Sequence, residues 1–121
     1  PSRFNHRYSL RGEDFPLTLK AAKDGAMLIH ELVANAAKHG CFSVPDGWLD
    51  IEWAVEGEDF RVVWCETGLT GLSEPERIGF GSKSLQIMPN ARVKREFRET
   101  GMWLEFVISA ELILETGGTA G

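Results

Sequence analysis

Three polar side chains recur in the first third of the chain at a spacing typical of one helix face. Glu31, Asn35 and Lys38 stand at i, i+4 and i+7, so a helix would align a carboxylate, an amide and an ammonium. His30 and His39 flank them. Mg²⁺ prefers hard oxygen ligands and keeps several waters, so one amide oxygen with a carboxylate nearby can suffice. The spacing suggests a site for a divalent cation and a phosphorylated ligand; an amphipathic helix with a plain polar face is the open alternative.

The apolar residues between these positions predict the helix that would carry them. Ile29, Val33 and Ala36 form one apolar stripe, and Leu28 and Leu32 widen it. This pattern is typical of a helix that buries one face against a core.

The ends of the helix can also be predicted. Its N-terminus lies near residues 17–20, and it runs unbroken to His39, although Gly25 costs about 1 kcal/mol against alanine. Gly40 then ends it as a C-cap glycine would.

The remaining apolar patterns favour strands. Leu49, Ile51, Trp53 and Val55 alternate along one face, and the turn at residues 56–59 leads into a second strand to form a hairpin. The predicted strands are residues 4–11, 48–55, 60–64, 92–98 and 102–109. In the last two, apolar surface is supplied by Val93, Phe97, Trp103, Leu104, Phe106 and Ile108.

Residues 67–81 hold four glycines and a proline, which predicts a mobile loop, and residues 82–88 have the composition of a short helix. The sum is two or more helices against a mainly antiparallel sheet whose far face is polar. The predicted fold is therefore a two-layer α+β sandwich.

A second group of functional candidates lies at residues 64–68, at the carboxyl end of a predicted strand. A carboxylate held there by Glu66 can accept a hydrogen bond from an exocyclic amine such as that of adenine, and Gly68 would let the backbone approach the ring. An ordinary strand followed by a turn is the alternative.

A third group precedes the predicted short helix. Gly79 and Gly81 form a loop whose N–H groups can face a phosphate, and Ser82 can cap the helix or touch the anion. Lys83 and Ser84 can add contacts, although in isolation a plain turn is the alternative.

Composition limits the classes of function. The 121 residues favour one domain, placed at 1–112 with a flexible tail at 113–121. The net charge is −5 and the only cationic run, residues 92–95, alternates with an apolar residue, so nucleic acid is not expected as a partner. No apolar stretch is long enough to span a membrane, and no direct membrane contact is expected. Cys41 and Cys65 lack metal-ligand spacing and are expected to be free thiols in the cytoplasm.

Taken together, these three groups resemble a known family. Residues 30–40, 64–66 and 79–82 look like the N box, G1 box and G2 box of the HWE sensor histidine kinases, a family named for an N-box histidine and a Trp-x-Glu motif. His30, Trp64 and Glu66 match those letters. The resemblance covers roughly residues 4–112 and implies the Bergerat ATP-binding fold of gyrase, Hsp90 and MutL proteins.

The resemblance implies roles for single residues. Asn35 would coordinate Mg²⁺, Glu31 would act around the transferred γ-phosphate, and Lys38 with His39 would contact phosphates. His30 would orient a neighbour or pack behind the site.

It implies further roles around the base and the phosphates. Glu66 would bind the adenine amine in place of the aspartate common in the wider superfamily, and Gly68 would flank the base. Residues 69–78 would be the ATP lid. The triphosphate would be wrapped by Gly79, Phe80, Gly81 and Ser82.

The sequence departs from the family pattern at two positions. Leu69 stands where related kinases often carry a glycine, so the backbone path of the lid can differ from the family's. His39 stands where a tyrosine is often found. No helix with a phosphoacceptor histidine is recognised, so the chain is expected to be a catalytic domain that acts on a separate dimerisation domain. A homodimer and a response regulator are the other partners that the resemblance implies for the full-length protein.

Three other functions stay open. A degenerate domain of the same fold could serve phosphotransfer or docking without ATP, and a Ser/Thr kinase of the anti-sigma type could share the fold. His30 and residues 64–66 argue against the latter. The third alternative is an α+β domain that does not bind nucleotides.

Overall fold

The structure is a computed structural model and describes residues 7–69 and 90–115. In this part of the chain, one long helix packs on one face of a five-stranded sheet. The helix, α1, is Leu19–His39, and 3₁₀ helices lie at Cys41–Ser43 and Ala110–Leu112. The strands are β1 Tyr8–Arg11, β2 Trp48–Glu56, β3 Asp59–Thr67, β4 Arg92–Arg98 and β5 Gly101–Ser109.

The sheet is mixed and mainly antiparallel, as predicted. Its strand order is β1-β2-β3-β5-β4, with β1 parallel to β2 and every other pair antiparallel. The two-layer α+β prediction is confirmed. The predicted helix at residues 82–88 lies outside the described residues.

The predicted bounds of α1 are confirmed. The Thr18 hydroxyl caps the N-terminus by accepting a hydrogen bond from the Ala21 N–H at 3.0 Å. At the other end, the Gly40 N–H donates to the Ala36 carbonyl at 3.0 Å. Gly25 lies inside the helix without breaking it.

The buried stripe of α1 is rotated relative to the prediction. Leu28, Leu32 and Ala36 are buried, whereas Ile29 and Val33 are 38% and 39% exposed. Ile29 borders an open groove beside Leu10 of β1. β1 has only four residues, so it covers little of this flank of the helix.

The strands alternate as expected on β2 but differ on β5. Leu49 and Ile51 are buried beneath α1, and the register opposes Leu49 to Glu66 of β3. Trp103 was predicted to add to the apolar surface, but it lies on the far face with Cys65 and Arg61. The reason is the strand period of two, which sends the neighbours of Trp103 to the core and Trp103 away from it.

The far face of the sheet is largely polar, as predicted. Arg11 pairs with Glu52 there, and Arg61 pairs with Glu105. The cationic run at residues 92–95 belongs to the edge strand β4, with its three cationic residues exposed. Among the described residues, no helix combines the length and apolar character that crossing a bilayer requires.

The segment just before α1 meets the carboxyl end of the described chain. The Thr18 N–H donates to the Ile113 carbonyl at 2.8 Å, and Leu17 forms a β-bridge with Leu114. Ile113 is 4% exposed. The domain boundary at residue 112 stays a prediction, although residues 113–115 contact the fold.

The rotated stripe can be tested with two neighbouring substitutions. Leu32 is 1% exposed and Val33 is 39% exposed. Leu32→Ala should lower the free energy of unfolding by about 2–5 kcal/mol, because it leaves a cavity in the core. Val33→Ala should change it by less than about 1 kcal/mol. Urea unfolding followed by circular dichroism measures both, and equal losses would contradict the observed rotation.

Candidate functional site

A fully buried carboxylate lies near the carboxyl end of β3. Glu66 is 1% exposed. Its Oε1 accepts a hydrogen bond from the Cys41 backbone N–H at 2.8 Å, and its Oε2 accepts one from the Trp64 indole N–H at 2.6 Å. Residues 64 and 66 are two apart on a strand, so their side chains share a face.

The end of α1 brings the Cys41 N–H to this carboxylate. The helix ends at His39 and turns at once into the 3₁₀ helix that begins at Cys41. Gly40 ends α1 as predicted, but its φ is −128°, not the left-handed value typical of a C-cap glycine. A Cβ at Gly40 would overlap Oε1 of Glu66. The glycine is therefore needed for space.

Arg7 holds the loop after α1 in place. Its guanidinium donates to the carbonyls of Cys41 at 2.6 Å and Val44 at 2.7 Å, and it lies 5.6 Å from the ring centre of Phe42. This role could not be predicted from the sequence, because the contacts join residues 34 and 37 positions apart.

Both cysteines are free, as expected, and both are disfavoured as thiolates. Burial raises the pKa of the Cys41 thiol well above its usual range, and the Glu66 carboxylate adds to the rise. Burial also raises the pKa of the Cys65 thiol. Neither residue has the lowered pKa of a reactive nucleophile.

The backbone passes very close to its neighbours after β3. Gly68 has a φ of +74°, and a Cβ there would collide with the Asp46 carbonyl. Leu69 follows, 4% exposed, and its N–H donates to the Thr100 carbonyl at 2.8 Å. The leucine that departs from the family pattern is thus a core residue.

The polar stripe of α1 lies beside the buried stripe. Glu31 and Asn35 are half-buried, and Lys38 is exposed. Helix geometry puts these side chains on the flank opposite Ile29 and Val33. The stripe therefore faces away from the β1 side of the sheet.

The two histidines beside the stripe, His30 and His39, are both exposed. His30 therefore does not pack behind the stripe. Within the described ranges, no three His, Cys, Asp or Glu side chains cluster as a metal site. The predicted phosphate loop, Gly79, Phe80, Gly81 and Ser82, lies outside those ranges, as do residues 70–78 of the predicted lid.

A separate cavity of about 130 Å³ lies under the first half of α1. Its lining is apolar and includes Ala21, Leu28, Phe60 and Ile108. Cavities of this kind are common places for small-molecule sites, but this one offers no polar group to orient a ligand. It lies at the opposite end of α1 from Glu66.

Comparison with known proteins identifies relatives of this chain. No protein-family model matches the chain. Over 75 residues, 62% of the chain, it is 32% identical to blue-light-activated histidine kinase 1 of Erythrobacter litoralis. Over 88 residues, 69% of the chain, it is 31% identical to a blue-light-activated histidine kinase of Brucella anthropi. The matches span 21% and 18% of these relatives' lengths.

Solved structures share the fold. The histidine kinase domain of the Erythrobacter litoralis EL346 kinase superposes with a TM-score of 0.64 at 16% identity, covering 84% of this chain and 53% of that one. The catalytic domain of ThkA gives 0.63 at 19% identity, covering 88% and 80%. ThkA in complex with the response regulator TrrA gives 0.58 at 19% identity, covering 87% and 34%. The predicted fold and the resemblance to histidine kinase catalytic domains are confirmed.

The contrast between the two thiols predicts their reactivity. Cys41 is wholly buried and Cys65 is partly exposed. In the folded protein at pH 8, iodoacetamide should label Cys65 slowly and Cys41 only after unfolding, because alkylation needs an accessible thiolate. Raising the pH should speed the labelling of Cys65 before it affects that of Cys41. Mass spectrometry of digested samples measures both rates, with urea-unfolded protein as the control, and early labelling of Cys41 would contradict the geometry.

Proposed function

We propose that this chain, a relative of the blue-light-activated histidine kinases with the fold of histidine kinase catalytic domains, binds Mg·ATP and transfers its γ-phosphate to a histidine on a separate dimerisation domain. The observation that carries the proposal is the buried carboxylate of Glu66, which accepts hydrogen bonds from the Cys41 backbone and the Trp64 indole. It lies beside the end of the helix that bears Glu31, Asn35 and Lys38.

Glu66 would read the base. An ionised carboxylate offers about four acceptor sites, and the N–H groups of Cys41 and Trp64 are among the donors to this one. It would accept a hydrogen bond from the exocyclic amine of adenine. A base that presents a carbonyl there would set acceptor against acceptor in a buried site, where an unmade hydrogen bond is costly. Gly68 would let the backbone approach the ring.

The polar stripe of α1 would serve the phosphates. The half-buried Asn35 and Glu31 offer an amide oxygen and a carboxylate one turn apart, which fits the few protein ligands that Mg²⁺ takes. Bound there, the ion would neutralise charge on the phosphate oxygens. Lys38 and His39, both exposed at the helix end, would contact phosphates, and the loop Gly79, Phe80, Gly81 and Ser82 would wrap them.

Phosphoryl transfer needs little covalent help from a protein, since positioning and charge stabilisation provide most of the catalysis. Glu31 would orient groups around the γ-phosphate, and His30 would orient a neighbour. The acceptor histidine would then pass the phosphate to a response regulator, a partner class seen with ThkA. We place this relay in the cytoplasm, with the full-length protein as a homodimer.

The role of Glu66 can be tested by calorimetry. Glu66→Gln should weaken ATP binding by about 1.5–3 kcal/mol, the scale of a hydrogen bond to a charged group. Glu105→Gln is the control, because Glu105 is also buried but lies on the far face with Arg61. An equal loss in the two variants would contradict base reading by Glu66. No heat from folded wild-type protein at millimolar ATP would favour the degenerate docking module instead.

The role of Asn35 predicts a different signature. Asn35→Ala should abolish the gain in ATP affinity that Mg²⁺ gives the wild type, while leaving Mg-free binding within about twofold, because only the metal ligand is lost. The control is Lys23→Ala, an exposed change in the first half of α1. The measurement is an ATP titration with Mg²⁺ and another with EDTA. A full Mg²⁺ effect in Asn35→Ala would refute the metal assignment.

A further inference from the structure

The two oxygens of the Glu66 carboxylate are held from two different elements. The indole of Trp64, on the same strand, donates to Oε2, and the backbone of Cys41, just after α1, donates to Oε1. Trp64 is 0% exposed and is the largest fully buried side chain in the described residues. Two donors on opposite oxygens restrain both the position of the carboxylate and its rotation.

Gly40 adds a steric restraint on the same group. A Cβ at this position would overlap Oε1 of Glu66 and come within 3.0 Å of the Ala36 Cα. The φ of −128° is open to any residue, so the backbone conformation does not require glycine here. The requirement comes from the space itself, which the Glu66 carboxylate and the backbone of Ala36 occupy.

A glutamate without such restraints would sample several rotamers, and ordering it would oppose binding of a base. We propose that Trp64 and Gly40 are positioning residues for base recognition. They fix the Glu66 carboxylate in the orientation that accepts the exocyclic amine of adenine, without touching the nucleotide themselves. The inference rests on the proposed function, because it deepens the role given there to Glu66.

A purely structural role for Trp64 makes a different prediction. Loss of core packing would weaken the binding of all nucleotides alike. Loss of carboxylate orientation would weaken the binding only of nucleotides that carry the amine. The informative quantity is therefore the ratio of two dissociation constants, that of purine riboside triphosphate, which lacks the amine, to that of ATP.

The first experiment measures this ratio for Trp64→Phe. The ratio should fall about two- to tenfold from the wild-type value, the factor that one hydrogen bond contributes. Trp53→Phe is the matched control, since the Trp53 indole donates to the Glu13 carbonyl at 2.7 Å, away from Glu66. Its ratio should equal that of the wild type. Urea unfolding of each variant separates the selectivity effect from lost stability.

The second experiment tests Gly40 and does not depend on the folding of the Trp64 variant. Gly40→Ala should lower the same ratio, and adding Glu66→Asp should restore part of it, because the shorter side chain withdraws from the new methyl group. Gly25→Ala is the control, since a Cβ there would meet nothing within 4 Å.

The outcomes are distinct. A reduced ratio in Trp64→Phe or Gly40→Ala, with both controls unchanged, supports the inference. Folded variants that keep the wild-type ratio would overturn it while leaving the proposed function intact. Wild-type protein that binds the two nucleotides equally would overturn base reading by Glu66 and, with it, this inference. Wild-type protein that binds neither nucleotide would overturn the proposed function itself.

Discussion

A carboxylate removed from water must find hydrogen-bond donors, and much of this structure follows from that requirement at Glu66. The side chain is 1% exposed and takes donors from β3 itself and from the segment after α1. The helix ends at His39, and the chain turns at Gly40 so that the Cys41 N–H donates to Glu66 of the sheet. The Arg7 guanidinium donates to the carbonyls of Cys41 and Val44 in the segment that follows.

The surroundings of Glu66 strengthen these hydrogen bonds. The sheet register sets Leu49 on one side of Glu66 and Met102 on the other, 2% and 3% exposed. Leu32 and Ala36 of α1 belong to the same buried cluster. A hydrogen bond in such an apolar setting is electrostatically stronger than one in water, and an unmade one is more costly. The same setting would make an acceptor at this position selective for a donor on a ligand.

The parts of the fold that follow from local pattern could be predicted from the sequence. The hairpin of β2 and β3 follows from alternation about a glycine turn, and the bounds of α1 follow from its end residues. The rotation of the helix could not be predicted, because Leu28 with Leu32 and Ile29 with Val33 are equally apolar pairs. Packing on the sheet decides between them, and it buries Leu28 and Leu32.

The contacts of the candidate site also fall into those that could be predicted from the sequence and those that could not. Glu66 could be selected from its place at a strand end, and the Trp-x-Glu spacing on a strand implies a shared face. A buried indole N–H usually has a hydrogen-bond partner, so the contact between Trp64 and Glu66 could have been predicted from the sequence. The Cys41 and Arg7 contacts were not, since they join positions 25 or more apart through backbone atoms that carry no sequence signal.

The two ends of the proposed ligand make opposite demands on the protein. Reading an amine requires a dry, rigid acceptor, whereas a triphosphate and its metal require cations, water and an exposed surface. The end of α1 can meet both, because its buried stripe ends beside Glu66 and its polar flank carries Asn35 and Lys38. The chain has a net charge of −5 and as a whole repels a polyanion. Binding of a triphosphate would therefore depend on positive charge placed locally. In the proposed mode of binding, Lys38 and the metal would offset that repulsion, and Glu66 would contribute selectivity for the base.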